Sequence, residues 1–343
     1  MQRARFLAGW VLAVVAMVAL AACGSTTDSG GGGGGEGGGA AAGGLPKLAQ
    51  KDSYTVCFPQ TEENNPWRLA QTASIKDEVQ KRGWKLVYTN AAGSAAKQVA
   101  DVQSCIAQKV DVIWLPPREE KPLATAVKSA KQAGIPVFLL DRNVDQSLAK
   151  AGEDYVAFIG SDFVEEGKRA AEWLIEETGG KANIIQLLGT SGASPANDRR
   201  KGFEDAIKGQ SGMKILASQT GEFSRANGQR VLQNIAQSLG SQITAVYAHN
   251  DEMALGAIQA LKSAGLQPGT QVKVVSIDGQ RAALEAIERG ELGATVESNP
   301  RFGPIAFDTI EQLRRGEPVP TKKLITDRFF DSTNAAQFVA EAY

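Results

Sequence analysis

Ile135-Pro136-Val137-Phe138-Leu139-Leu140-Asp141-Arg142 is a short apolar run that ends abruptly in a carboxylate and a guanidinium. Proline suits the first position of a strand, where a missing N–H costs little. Val, Phe and Leu without alternation fit a strand covered on both faces, as in a parallel sheet flanked by helices. In open α/β sheets ligands bind beyond the carboxyl ends of the strands, which is where Asp141 and Arg142 fall. An acceptor-only group beside a rigid five-donor fork suits a ligand rich in hydroxyls. The plain alternative is an ion pair that merely closes the strand.

Outward from that strand, helical and strand-like segments alternate. Tyr54–Phe58 reads as a strand and Pro66–Arg82 as a helix closed by Gly83. Strand Trp84–Tyr88, helix Ser94–Lys109, strand Val110–Leu115 and helix Glu119–Ala133 lead to Gly134 and the opening stretch. After a linker over Asn143–Asp154, a second series begins with Tyr155–Ile159. It continues with helix Asp162–Glu177, strand Asn183–Leu188, helix Ala196–Lys208, strand Lys214–Ser218 and helix Ser224–Leu239. Strand Ala245–Tyr247, helix Asp251–Ser263, strand Val272–Ile277 and helix Arg281–Arg289 complete it, before a helix over Pro304–Arg315 and short strands near Lys323–Phe330. Strands alternating with helices of this length predict βαβ units and parallel sheets, so the fold class is α/β with two similar doubly wound lobes.

The chain starts differently. Arg3 and Arg5 precede an apolar run from Phe6 to Leu20, followed by Leu20-Ala21-Ala22-Cys23. A basic start, an apolar stretch too short to span a bilayer and a small-residue cleavage site make residues 1–22 an export signal. Leu-Ala-Ala-Cys resembles a bacterial lipobox, which implies lipidation of Cys23 and a membrane anchor. The Gly-rich stretch that follows has nothing to pack, so 23–51 reads as a lipidated cysteine and a flexible tether. The remaining residues, nearly 300, are enough for two domains.

Charge and residue counts exclude several classes. With 37 Lys+Arg against 38 Asp+Glu and no basic block, nucleic acid is not an expected partner. The single histidine, His249, and the absence of a Cys/His cluster leave no zinc site, and no nucleophile–base pair marks an enzyme. No cofactor is expected, and His249 reads as structural. Cys57 and Cys105 are either a disulfide in an oxidising compartment or two buried thiols.

Polar residues gather at the expected strand ends: Asn65-Pro66-Trp67-Arg68, Asp198-Arg199, Phe223-Ser224-Arg225, His249-Asn250-Asp251, Asp278-Gly279 and Glu297-Ser298-Asn299. Many such residues only cap helices, and Asp162 and Ser224 are read so. Caps do not account for Trp67 and Phe223, two aromatics in loops. Flat apolar faces combined with Asp, Asn and Arg are what a buried sugar needs.

These stretches, with Gly189-Thr190-Ser191-Gly192-Ala193-Ser194 and Tyr247-Ala248-His249-Asn250-Asp251-Glu252-Met253, resemble the periplasmic sugar-binding proteins of ABC transporters, the ribose/galactose-binding class. Within it the chain is similar to the bacterial galactofuranose binders, over about residues 52–333. The resemblance implies a type I periplasmic binding protein fold with a three-crossing hinge: an N-terminal lobe over 52–159 and 299–326, a C-terminal lobe over 160–298 and 327–343. It implies a monomeric, extracytoplasmic protein that closes on one monosaccharide, galactofuranose or a related furanose or pentose, and delivers it to a permease. Trp67 and Phe223 would sandwich the ring. Asn65, Asp141, Arg142, Arg199, Asn250, Asp278 and Glu297 would hydrogen-bond hydroxyls. Arg68 stands where ribose binders place a second aromatic, unless it points outward from its helix. A sensor accessory would use the same site. A LacI-like repressor shares the core, but here a lipobox and a tether occupy the place of its DNA-binding domain.

Overall fold

The computed structural model describes residues 44–343, so the export signal, Cys23 and most of the tether lie outside the described residues. Two six-stranded sheets organise the rest. In the first, β1 (Thr55–Gln60), β2 (Lys85–Asn90), β3 (Val112–Leu115), β4 (Val137–Leu140) and β5 (Ala157–Gly160) run parallel in the order 2-1-3-4-5. The opening stretch is β4: its four residues are buried on both faces, as an apolar run without alternation requires. Its interleaved helices are α1 (Pro66–Lys81), α2 (Ala95–Ala107) and α3 (Glu120–Gln132).

The second unit contains α4 (Phe163–Thr178), β6 (Lys181–Leu188), α5 (Ser194–Ile207), β7 (Gly212–Thr220) and α6 (Arg225–Leu239). It continues through β8 (Ala245–Ala248), α7 (Asp251–Ser263), β9 (Lys273–Asp278), α8 (Arg281–Glu288) and β10 (Ala294–Glu297). After α9 (Gly303–Arg314), β11 (Lys322–Leu324) and β12 (Phe329–Asp331), a short α10 (Ala335–Phe338) packs on α8. The sheet order is 7-6-8-9-10-12, parallel except for β12 against β10. β11 instead joins the edge of the first sheet beside β5.

Two points of the element series change. The segment read as opening the second series is β5, the fifth strand of the first sheet, held by main-chain pairing of Phe138–Leu140 with Ala157–Ile159. β11 falls in the stretch 299–326 and β12 in 327–343, so the chain passes between the sheets after β5, after β10 and between β11 and β12. A strand at Ala294–Glu297, which the sequence reading does not lay out, carries the second passage. Asp162 and Ser224 cap their helices as expected, accepting from Glu165 N and Asn227 N. Cys57 and Cys105 form a disulfide that ties β1 to α2, with Cα atoms 6.1 Å apart. Among the described residues no helix is long and apolar enough to cross a membrane.

Each sheet carries apolar clusters on both faces, and its parallel strands end on one side, where loops of both lobes line one cavity. Close packing of α4 on α5 depends on glycine. A Cβ on Gly202 would lie 1.9 Å from Val164 O, and one on Gly167 would lie 2.1 Å from Arg199 O. This approach brings Glu166 of α4 within reach of Arg199 of α5.

Candidate functional site

A cavity of about 330 Å3, mouth included, lies between the lobes and is lined by Asn65, Trp67, Arg68, Asp141, Arg142, Pro195, Arg199, Phe223, Asn250 and Asp278. Nine of the ten residues picked from sequence meet there; Pro195 is the addition. Glu297 does not line the cavity. Its carboxylate faces away and holds Arg328 through Nη2 at 2.7 Å and Nε at 2.9 Å, an end-of-sheet pair between β10 and the start of β12. Choosing strand-end polar residues cannot separate this case, because Arg328 is distant in sequence.

The N-terminal lobe supplies three loops. After β1, the Asn65 side chain caps α1 by accepting from Arg68 N at 2.9 Å, so the capping reading and the cavity reading of Asn65 coincide. Trp67 donates Nε1–H to Ser298 O at 2.7 Å, which fixes its indole beside the second chain passage. Arg68 does not point outward. It is 4% exposed, its guanidinium lies 4.6 Å from the Trp67 ring centroid, and Nη1 sits 2.7 Å from Asp141 Oδ2 and 2.9 Å from Gln71 Oε1. Asp141, at the end of β4, has φ 63°, a left-handed conformation rare outside glycine and favoured at functional turns. Arg142 follows and is buried; burial and the neighbouring Arg68 pull its pKa down to about 9, so it remains a cation at neutral pH.

The C-terminal lobe completes the cavity. Asn250 caps α7 through Met253 N and donates to Phe223 O at 3.3 Å. Phe223, at φ 57°, lies over Gly189, where any Cβ would fall 2.0 Å from the ring. Its ring centroid is 5.5 Å from the Arg142 guanidinium and 5.9 Å from that of Arg199. Arg199 donates Nε–H to Glu166 at 2.7 Å and Nη1–H to His249 O at 2.7 Å. Burial works against its charge, but Glu166 and Asp278 outweigh that and raise its pKa. Asp278 (φ 133°) ends β9 in a loop held by buried Asp251, which accepts from Gln280 N at 2.8 Å and from Thr295 Oγ1 at 2.8 Å. Burial drives the Asp278 carboxyl upward, while Arg199 works against that shift. His249 is buried, accepts from Gly189 N at 3.4 Å and is held neutral by burial and Arg199, in keeping with a structural role.

Two carboxylates behind the wall escape the sequence reading. Glu62 is buried against Arg118 and lies 3.4 Å from Arg142 Nη2. Burial opposes its ionisation, yet Arg142, Arg68 and Arg118 outweigh it and keep the carboxyl below the usual range. Glu166, behind Arg199, is pushed up to about 7 by burial despite that partner. Glu62 follows β1 by two residues and Glu166 sits in the first turn of α4, yet neither belongs to the polar clusters that the sequence reading singles out. Pairing buried donors with buried acceptors is the signal that finds them. In the cavity wall Arg142 Nε has no hydrogen bond inside the protein, the nearest carboxylate oxygen, Asp141 Oδ2, lying 3.8 Å away. Such an atom calls for a polar ligand.

Residues 56–318 match the periplasmic binding protein domain family. The chain belongs to that family. This binding protein is 39% identical to the galactofuranose-binding protein YtfQ of Escherichia coli over 285 residues, 82% of this chain and 89% of the relative. A solved galactofuranose binding protein superposes with a TM-score of 0.80 at 38% identity, covering 84% of this chain and 98% of the other. The periplasmic binding protein component of the arabinose ABC transporter from Shewanella sp. ANA-3, solved with α- and β-L-arabinofuranose, gives 0.78 at 38% identity, covering 84% and 95%. The relatives named here are all binding proteins. Two lobes of parallel-dominated α/β structure are the fold those relatives share.

Proposed function

We propose that this chain is an extracytoplasmic solute-binding lipoprotein that captures one furanose-form monosaccharide, galactofuranose or a close relative, and hands it to an ABC permease. The observation that carries the reading is the cavity itself: Trp67 and Phe223 give apolar faces, and three guanidiniums and two carboxyls surround them. Alternating donors and acceptors suit vicinal hydroxyls, which both give and receive hydrogen bonds. Both lobes contribute lining residues, so a ligand there favours the closed state over the open one. The ligands named for the two solved relatives support a five-membered ring. Arg68 supports it further. A guanidinium over Trp67 takes up one flat face and offers donors to an exocyclic chain. Export, lipidation at Cys23 and a flexible tether would hold the protein at the membrane near its permease. The test is mass spectrometry of ligand released from the purified protein, followed by calorimetry with that compound. A released compound that is not a sugar, together with no heat from furanoses or pentoses, would end this reading.

A further inference from the structure

The rim of the cleft carries contacts that take no part in lining the cavity. Glu120 N donates to Gly192 O at 2.9 Å, Asn197 donates to Glu120 Oε2 at 2.7 Å, and Asn143 N donates to Ser194 Oγ at 2.7 Å. Each joins a loop or helix start of one lobe to the start of α5 in the other. Beside them stands Arg118. Its guanidinium contacts Glu62 in its own lobe and lies 3.5 Å from Glu222 Oε2 in the opposite lobe. Among the described residues this is the ion pair that spans the cleft.

We propose that Arg118 is a latch. It closes the lobes on each other by bridging Glu62 and Glu222, and so sets the rate of ligand release without touching the ligand. The inference rests on capture by closure as described above.

Four features of the geometry support it. The Arg118 backbone is rigidly mounted: its N–H donates to Gln98 Oε1 at 2.7 Å, and buried Gln98 donates in turn to Pro59 O and Pro116 O at 2.9 and 2.8 Å. The Arg118 side chain is only 11% exposed and that of Glu222 34%, so solvent screens the pair less than a surface bridge. Glu222 is aimed by its own backbone. Glu222 and Phe223 both adopt left-handed φ, 55° and 57°; the Phe223 side chain enters the cavity and that of Glu222, just before it, reaches the rim, where Thr220 Oγ1 donates to Glu222 Oε1 at 3.0 Å. Finally, the latch is continuous with the cavity. Glu62 lies 3.4 Å from Arg142 Nη2, and Arg142 Nη1 lies 3.4 Å from Arg118 O. The Glu62 contact lies within one lobe and survives opening; the Glu222 contact cannot. A contact made only in the closed state shifts the equilibrium toward it by its own free energy.

The experiment uses the mature protein and the variants Glu222→Gln, Arg118→Met and their combination. Dissociation is followed by tryptophan emission after dilution from the sugar released in the mass-spectrometric test, and the radius of gyration by small-angle scattering without sugar. Glu222→Gln should melt like the wild type and release sugar about three- to fivefold faster with little change in association. That excess should fade in molar salt. Arg118→Met should be the more severe, since it also strips a partner from buried Glu62, and adding Glu222→Gln should then change nothing further. Equal release rates for Glu222→Gln and wild type, or fully additive effects, would overturn the latch. A wild type that binds no sugar would overturn the functional reading alone. The latch then stands on the ligand-free radius, which should be larger in Glu222→Gln than in wild type and refutes it if equal.

Discussion

Replacing Arg68 by alanine tests the furanose reading where it is most exposed to refutation. The side chain does three things: it pairs with Asp141 at 2.7 Å, holds Gln71 at 2.9 Å and covers the Trp67 ring at 4.6 Å. Its loss leaves Asp141, 4% exposed, with Arg142 Nε at 3.8 Å as its remaining cation. Removing one partner of a buried pair costs about 3–5 kcal/mol when nothing compensates. Because Arg142 compensates in part, the lower end applies, and a contact of a charged donor with a hydroxyl is worth about 2–3 kcal/mol. An affinity loss on the order of 30- to 150-fold follows for a ligand whose exocyclic hydroxyls meet the guanidinium. Galactopyranose presents a broader flat ring and should gain from the uncovered Trp67 face, so its loss should be several-fold smaller. Arabinose should fall between them. Calorimetry with galactofuranose, galactopyranose and arabinose on both proteins decides the matter, with a thermal melt to separate folding from binding. If the wild type binds galactopyranose at least as tightly as galactofuranose, or if Arg68→Ala weakens all three sugars equally, Arg68 is not a ring-form selector.

Three other outcomes are expected. Reducing the Cys57–Cys105 bridge, or replacing both cysteines by alanine, opens a loop with a separation of 48 residues and should cost up to about 4 kcal/mol, read as a lower melting temperature; an unchanged melt would contradict it. Glu166 has a folded pKa of about 7 against an ordinary 4.5, so its contribution is fully present below about pH 4.5 and is lost as pH rises through about 7. Denaturant titrations should therefore show up to about 3 kcal/mol less stability at pH 8 than at pH 4.5 from this group, with Asp278 acting in the same direction, and a curve that rises over that window would refute the assignment. Cys23→Ser should release the protein from the membrane fraction or leave uncleaved precursor, whereas a mutant that matures to the same lipidated mass would refute lipidation at that residue.

The sequence made the fold legible because its signals are local. β4 is an unbroken apolar run, and such a run has few places to go except between two helical layers. The cavity was legible for a related reason: in a parallel sheet every strand ends on the same side, so residues after strands converge whatever their distance in sequence. Asn65, Asp141, Arg199, Asn250 and Asp278 were found that way. The same rule misled at Glu297, since a strand end also borders the sheet edge, and there Arg328 on an antiparallel neighbour neutralises it. The element series alone opens its second half at β5, because nothing in Ala157–Gly160 tells which sheet it pairs with; the lobe bounds implied by the resemblance keep it in the first lobe, where it pairs with β4.

What stayed hidden was the charge behind the wall. Three arginines face one small volume, and a cavity of guanidiniums alone would repel its own lining. Asp141 and Asp278 within it, and Glu62 and Glu166 behind it, balance Arg68, Arg142, Arg199 and Arg118 at the rim. The balance has a functional consequence. Each arginine is held by a carboxylate from a different element, so its donors are aimed before a sugar arrives and little ordering remains to be done on binding. A neutral, preorganised site of this kind discriminates by geometry: a hydroxyl in the wrong place leaves a buried donor unpaired, which costs more than a lost apolar contact. That is why the choice between ring forms should depend on Arg68 and its anchors more than on the aromatic faces, and why substituting Glu62 should blur selectivity through Arg142 although it lines no part of the cavity.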